Sequence, residues 1–145
     1  MDNFISENAT IINAEYSILG RLASTVAKRL LKGEEIIIIN ANKVLISGNP
    51  DNISLRYFQR YKIKTKTNPL RGPFYPRETD QILKRTVRGM LPFKKSRGKE
   101  AFKKLIVFKN SPEIFNEKKV EVLQNTKDLS KKSAYITLEE LNTKI

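Results

Sequence analysis

The chain has no cysteine, no histidine and no tryptophan. Without cysteine there are no disulfides and no thiolate zinc sites. Without histidine the commonest catalytic base and metal ligand is missing. No unbroken run of strongly apolar residues exceeds four. A membrane-spanning helix needs about 20, so no membrane partner is expected. The opening Met1-Asp2-Asn3-Phe4 lacks the basic start and apolar stretch of a secretory signal, and the expected location is the cytoplasm. Acid is also scarce, with 15 Asp and Glu against 28 Lys and Arg, a net charge of +13.

What remains is enough for a folded domain. The 145 residues are 39% hydrophobic, which supports a real core and argues against wholesale disorder. The positive charge is concentrated rather than spread. Leu55 to Lys109 carries 17 bases and 3 acids, a net of +14, while the rest of the chain nets −1. A block of this kind suits a polyanion, because each neutralised phosphate releases condensed counterions. An anionic membrane surface would favour one continuous amphipathic helix with its bases on one face. Pro69, Gly72, Pro73, Pro76, Gly89, Pro92 and Gly98 interrupt any such helix, so nucleic acid is the favoured partner.

The N-terminal half reads as strand, helix, strand. Thr10 to Ala14 is short and β-prone, and Ser17 is a candidate N-cap. Leu19, Leu22, Ala23, Val26, Ala27, Leu30 and Leu31 repeat at helical spacing, with Gly33 at the stop. Ile36 to Ile39 has no polar alternation, which predicts a parallel strand buried on both faces. Val44 to Ser47 is a further short strand. Asn49-Pro50-Asp51 starts a helix that fades by Thr65. Ile53, Tyr57 and Tyr61 share one face, with Arg56, Arg60 and Lys64 along its edge.

Lys66 to Arg77 holds three prolines and a glycine and reads as an irregular arm, expected to be mobile in the free chain. Thr79 or Asp80 caps a helix to about Arg88. Ile82, Leu83, Val87 and Met90 form its packing side, with Lys84, Arg85 and Arg88 nearly opposite. Gly89 to Phe93 breaks the chain. Ser96 caps a short helix through Lys104, followed by an apolar strand from Leu105 to Phe108. After Pro112 the pattern weakens, with a helical turn at Thr137 to Leu141.

Catalytic readings find little support. The first strand-to-helix turn has one glycine, Gly20, where a dinucleotide site needs three for close approach to a pyrophosphate. Gly98-Lys99 is followed by Glu100 rather than the Ser or Thr that ligands magnesium in a phosphate loop. Glu34-Glu35 and Glu139-Glu140 are neighbours in sequence and tend to point apart. No catalytic residue, metal site, cofactor or small-molecule substrate is expected. A nucleotide-dependent α/β enzyme is the weakest alternative.

The basic block carries two informative segments. Arg71-Gly72-Pro73-Phe74-Tyr75-Pro76-Arg77 sets two aromatics between arginines in a stiff segment. That suits either packing on the core, or phosphate contact with a ring left for stacking. Arg88-Gly89-Met90-Leu91-Pro92 is followed by Lys94-Lys95-Ser96-Arg97-Gly98-Lys99, where glycines allow close backbone approach.

Taken in order, these residues resemble a known family. Asn68-Pro69-Leu70-Arg71-Gly72-Pro73-Phe74, Arg85-Thr86-Val87-Arg88-Gly89-Met90-Leu91-Pro92, Arg97-Gly98-Lys99-Glu100-Ala101 and Leu105-Ile106-Val107 look like the large-subunit ribosomal protein L13 family in its archaeal and eukaryotic form. Ile12-Asn13-Ala14, Leu19-Gly20-Arg21-Leu22-Ala23-Ser24, Ile39-Asn40-Ala41 and Ile46-Ser47-Gly48 agree. The C-terminus departs: Asn110-Ser111-Pro112 stands where relatives carry Gly-Ile-Pro, and the Gly-Trp-containing end is missing.

The resemblance implies a three-layer α/β/α fold around a small, mostly parallel sheet of about four strands, with basic irregular loops. It implies no enzyme activity. It implies partners in large-subunit rRNA and neighbouring ribosomal proteins, within the large ribosomal subunit in the cytoplasm. Residues 1–109 are expected to form the RNA-binding core. Residues 110–145 form an extension packed on or trailing from the same domain. The candidate RNA-binding residues are Arg56, Arg60, Lys64, Lys66, Arg71, Gly72, Phe74, Arg77, Lys84, Arg85, Arg88, Gly89, Lys94, Lys95, Arg97, Gly98, Lys99 and Lys103. A free-standing RNA- or DNA-binding regulator would share this charge pattern.

Overall fold

Two strands set the frame. β1 (Thr10–Asn13) and β2 (Ile36–Ile39) lie parallel, with Thr10 beside Ile36 and Asn13 beside Ile39. Alternate side chains of a strand point to opposite faces. Ile36 and Ile38 therefore enter one apolar cluster, and Ile37 and Ile39 another. This explains why β2 has no polar position. The computed structural model describes residues 9–115, 119–126 and 134–145; the Met1 to Phe4 segment read above for a secretory signal lies outside the described residues.

The connection between β1 and β2 is α1 (Leu19–Leu31), which buries Leu19, Leu22, Ala23, Val26, Ala27 and Leu30. It ends as its sequence predicts. Gly33 adopts φ +98° and its N–H donates to the Leu30 carbonyl, a backbone state that costs a glycine little. The start differs. Ile18 is the cap position and provides no side-chain bond, while Ser17 is fully buried with its hydroxyl paired to that of Thr126 at 3.0 Å. Ser17 is thus used for a long-range tie rather than as a cap.

β4 (Leu105–Val107) pairs in parallel with β2, and β5 (Val120–Val122) pairs in parallel with β1, giving the order β4-β2-β1-β5. The four-stranded parallel sheet agrees with the expected α/β class. Its fourth strand comes from the weakly patterned C-terminal segment. β3 (Leu45–Ser47) is a strand as expected, but it pairs antiparallel with β6 (Tyr135–Thr137) in a separate two-stranded sheet.

Four further helices follow: α2 (Pro50–Lys62), α3 (Thr79–Met90), α4 (Ser96–Lys103) and α5 (Leu138–Lys144). α1 and α3 cover one face of the sheet, and α5 adds Leu138 and Leu141 to the same cluster. The opposite face gathers Ile11, Ile37 and Ile39 around Phe115, from the 3-10 turn Glu113–Phe115. Among the described residues no α-helix contributes to that second cluster, so this face is covered more thinly than the first.

Several helix ends depart from expectation. α2 stops at Lys62, three residues short of Thr65. The cap position of α3 is Glu78, and Thr79 is buried with its hydroxyl donating to Asn42 Oδ1 at 2.6 Å. Gly89 does not break α3, which continues to Met90. Ser96 is the first residue of α4 rather than its cap. At α5 the Thr137 hydroxyl accepts from the Glu140 N–H while the Glu140 carboxylate accepts from the Thr137 N–H, a reciprocal cap.

Candidate nucleic-acid interface

α2 begins firmly. Asn49 Oδ1 accepts from the N–H groups of Asp51 and Asn52 at 2.9 and 3.4 Å, and Pro50 takes the first position, where a missing N–H costs nothing. Ile53 and Tyr57 pack against the core, yet no residue of α2 is fully buried. The helix therefore projects its bases into solvent. The Arg60 guanidinium sits 5.4 Å over the Tyr57 ring, and Lys62 sits 4.3 Å over Phe58. Arg56 is exposed on the helix; Lys64 is exposed too, but it lies beyond the helix end rather than along its edge as expected.

The arm beyond α2 contains a 3-10 turn at Pro69–Arg71, where Asn68 Oδ1 accepts from the Leu70 N–H at 3.0 Å. Gly72 is buried, and a Cβ there would lie 3.1 Å from the Thr65 nitrogen and 3.3 Å from the Pro69 carbonyl oxygen. Two straps then tie the arm down. The Tyr61 hydroxyl donates to the Pro76 carbonyl at 2.9 Å, and Arg85 donates to the Phe74 carbonyl. Arg77 lies 5.3 Å over the Tyr61 ring and Arg85 lies 4.7 Å over Tyr75. Burial raises the phenols of Tyr57 and Tyr61 above their ordinary value, despite the lowering influence of nearby arginines.

α3 is two-faced, with Ile82, Leu83 and Val87 buried as predicted, but Met90, expected on the packing side, is exposed at the helix end. Arg85 and Arg88 are exposed and Lys84 is half-buried. The Arg88 guanidinium lies 4.0 Å over Phe93, and Phe93 meets Phe102 edge-on at 5.5 Å. The loop into α4 is held by a tight contact. A Cβ on Gly98 would fall 2.2 Å from the Pro92 carbonyl oxygen and 2.4 Å from its carbon. Only glycine allows α4 to start against that backbone, and this places Lys94, Lys95, Arg97 and Lys99 outward. Arg97 also reaches the Leu31 carbonyl, at the end of α1, at 3.4 Å.

A cleft of about 550 Å³ unites the arm with α3 and α4; its lining includes Phe74, Tyr75, Lys84, Arg85, Arg88, Phe93 and Phe102. A smaller one of about 140 Å³ joins Tyr57, Arg60 and Tyr61 of α2 to Tyr75, Pro76 and Arg85. Arg60 of α2, Phe74 of the arm and Lys84, Arg85 and Arg88 of α3 thus line two hollows that share Tyr75, Pro76 and Arg85. Lys103 lies apart, lining a different hollow with Glu35, Glu100 and Lys104. Of the eighteen candidates, fifteen are exposed, Lys84 is half-buried, and Gly72 and Gly98 are buried. The two buried glycines shape the surface from beneath.

Sequence reasoning did not single out Tyr57, Tyr61 and Phe93 as platforms for guanidinium groups. The Tyr57–Arg60 spacing was a readable signal, because residues three apart are neighbours on a helix. Lys62 was counted in the block without being selected. Lys109, also in the block, pairs with Glu78, and that hydrogen bond raises its pKa above the ordinary lysine value. Its charge is locally answered by the chain itself. Among the described residues no three His, Cys, Asp or Glu side chains could hold a metal ion, and no helix is long and apolar enough to cross a membrane.

The family described as Ribosomal protein L13 matches residues 7–114. The chain belongs to the ribosomal protein L13 family. A relative from Methanocaldococcus jannaschii named "Large ribosomal subunit protein uL13" is 49% identical over 92% of this chain and 94% of its own length. One of the same name from Archaeoglobus fulgidus is 41% identical over 95% of this chain and 88% of its own. A third from Caenorhabditis elegans is 41% identical over 79% of this chain and 57% of its own. The family match ends just past β4. The archaeal similarity reaches further, so the C-terminal segment of this L13 family member has counterparts in those relatives.

Proposed function

We propose that this chain is a structural, non-catalytic constituent of the large ribosomal subunit, and that it grips folded large-subunit rRNA through the basic surface running from α2 to α4. Family membership supports the first part. The arrangement of Arg56 to Lys99 on one projecting helix, a strapped arm and a two-faced helix supports the second. α2 packs Ile53 and Tyr57 against the core, α3 buries Ile82, Leu83 and Val87, and both leave arginines outward. Folded RNA hides most base edges and displays phosphates, so such a surface reads shape and charge.

In this reading residues 1–109 supply the RNA-binding core and residues 110–145 an extension packed on the same domain. The rRNA and neighbouring ribosomal proteins are the partners, within large subunits in the cytoplasm. The observation that carries the reading is the outward display of fifteen of the eighteen candidate residues. Binding to an rRNA fragment should weaken steeply with salt, with a log–log slope of about 0.7–0.9 per phosphate contact. Replacing Arg71 or Lys95 with Ala should lower that slope by about one each. Specific binding with little salt dependence would overturn the electrostatic part. In a native lysate the chain should sediment with large subunits; a mostly free pool would favour the regulator.

A further inference from the structure

The rings on the basic surface are not used alike. Tyr57, Phe58, Tyr61, Tyr75 and Phe93 each lie under a cation. Phe74 has no such partner among the described residues, and it is 69% exposed. Its backbone is nevertheless tethered. Arg85 donates to its carbonyl, Tyr61 holds Pro76 two residues on, and Gly72 is wedged against Thr65 two residues before. Pro73 restricts the chain between them. An apolar ring is thus held out into solvent on a tethered backbone, at the edge of a cleft of about 550 Å³ whose wall includes Lys84 and Arg88. An apolar partner would match the ring but not that cationic wall. A nucleotide matches both, with a flat base for the ring and a phosphate for the bases.

We propose that this cleft receives one unpaired nucleotide of the bound RNA, with its base stacked on Phe74 and its flanking phosphates near Lys84 and Arg88. The inference rests on the RNA-binding reading above and adds a stacking subsite to it. Unstacked bases in loops and bulges are the usual targets of exposed aromatic residues, and tethering the backbone beforehand reduces the ordering cost of binding.

The chain has no tryptophan, so Phe74→Trp supplies a single reporter in the full-length protein. Adding a large-subunit rRNA fragment should quench its emission. A duplex RNA of equal length without unpaired bases should not, even at concentrations where it binds. Phe74→Ala should weaken rRNA binding about tenfold, a typical loss for one stacked base, without changing the salt slope or the melting temperature. Phe74→Leu should fail to restore affinity. Full affinity in Phe74→Ala or Phe74→Leu, or an unquenched tryptophan in the bound complex, would overturn the subsite while leaving the electrostatic reading intact. Quenching by a free nucleoside monophosphate at the same concentration as by rRNA would overturn assignment to an RNA nucleotide. Failure of the unaltered chain to bind rRNA at all would overturn both readings.

Discussion

Gly98 and Gly89 stand nine residues apart in the same basic stretch and do different things. At Gly98 the obstacle to a side chain is internal: Pro92 backbone atoms lie 2.2 and 2.4 Å from where a Cβ would be. Backbone cannot swing aside as a flexible side chain can, so Gly98→Ala should cost about 1–3 kcal/mol or more. Urea denaturation would show this as a lower midpoint, and an unchanged midpoint would refute the contact. At Gly89 nothing lies within 4 Å. Alanine there should stabilise α3 by roughly 0.5–1 kcal/mol, since glycine is the poorer helix former. If RNA backbone approaches Gly89 closely, the same variant should bind rRNA less tightly while melting higher. A rise in stability with unchanged affinity would remove Gly89 from the interface.

At the scale of elements, the arm is the informative case. Its composition predicts mobility, yet it carries the Tyr61–Pro76 and Arg85–Phe74 bonds, which join residues 15 and 11 apart in sequence. Tyr61→Phe keeps the ring under Arg77 and removes only the hydroxyl. Stability should fall by about 0.5–1.5 kcal/mol, and amide exchange should quicken in residues 68–77 more than in α1. Equal exchange in both proteins would mean the strap does not order the arm. The same element shows where sequence reading stops. The charges and prolines of the arm were legible, but the straps depend on where α2 and α3 end up, which local pattern does not encode. α1 was legible almost residue by residue, because seven apolar positions at one period admit one solution. β5 was not, because Val120-Glu121-Val122 is too short to show a period and becomes a strand only by lying beside Ile11 to Asn13. Ser17 looked like a cap because caps are local; its actual partner, Thr126, is 109 residues away.

For the whole molecule, the candidate contacts alternate along the chain with core residues such as Ile82, Leu83, Val87 and Ala101, but the C-terminal part of the core lies beyond all of them. The candidate contacts run from Arg56 to Lys103. Much of the closing apolar cover comes later, from Phe115, Ile136, Leu138 and Leu141, each 1% exposed or less. Arg29, at the last turn of α1, reaches Glu121 in β5 at 2.8 Å and ties the C-terminal segment to the N-terminal helix. This division allows stability and binding to be changed independently. Leu141 is fully buried and carries no charge, so Leu141→Ala should leave a cavity and cost about 2–5 kcal/mol, a large share of the roughly 5–15 kcal/mol that holds a domain of this kind folded. Below its lowered melting temperature the variant should still bind rRNA with the parent salt slope, because no cation has moved. Arg71→Ala should do the reverse, keeping the melting temperature and losing slope. A Leu141→Ala protein that is folded but has a reduced slope would show that the C-terminal segment itself takes part in the RNA contact.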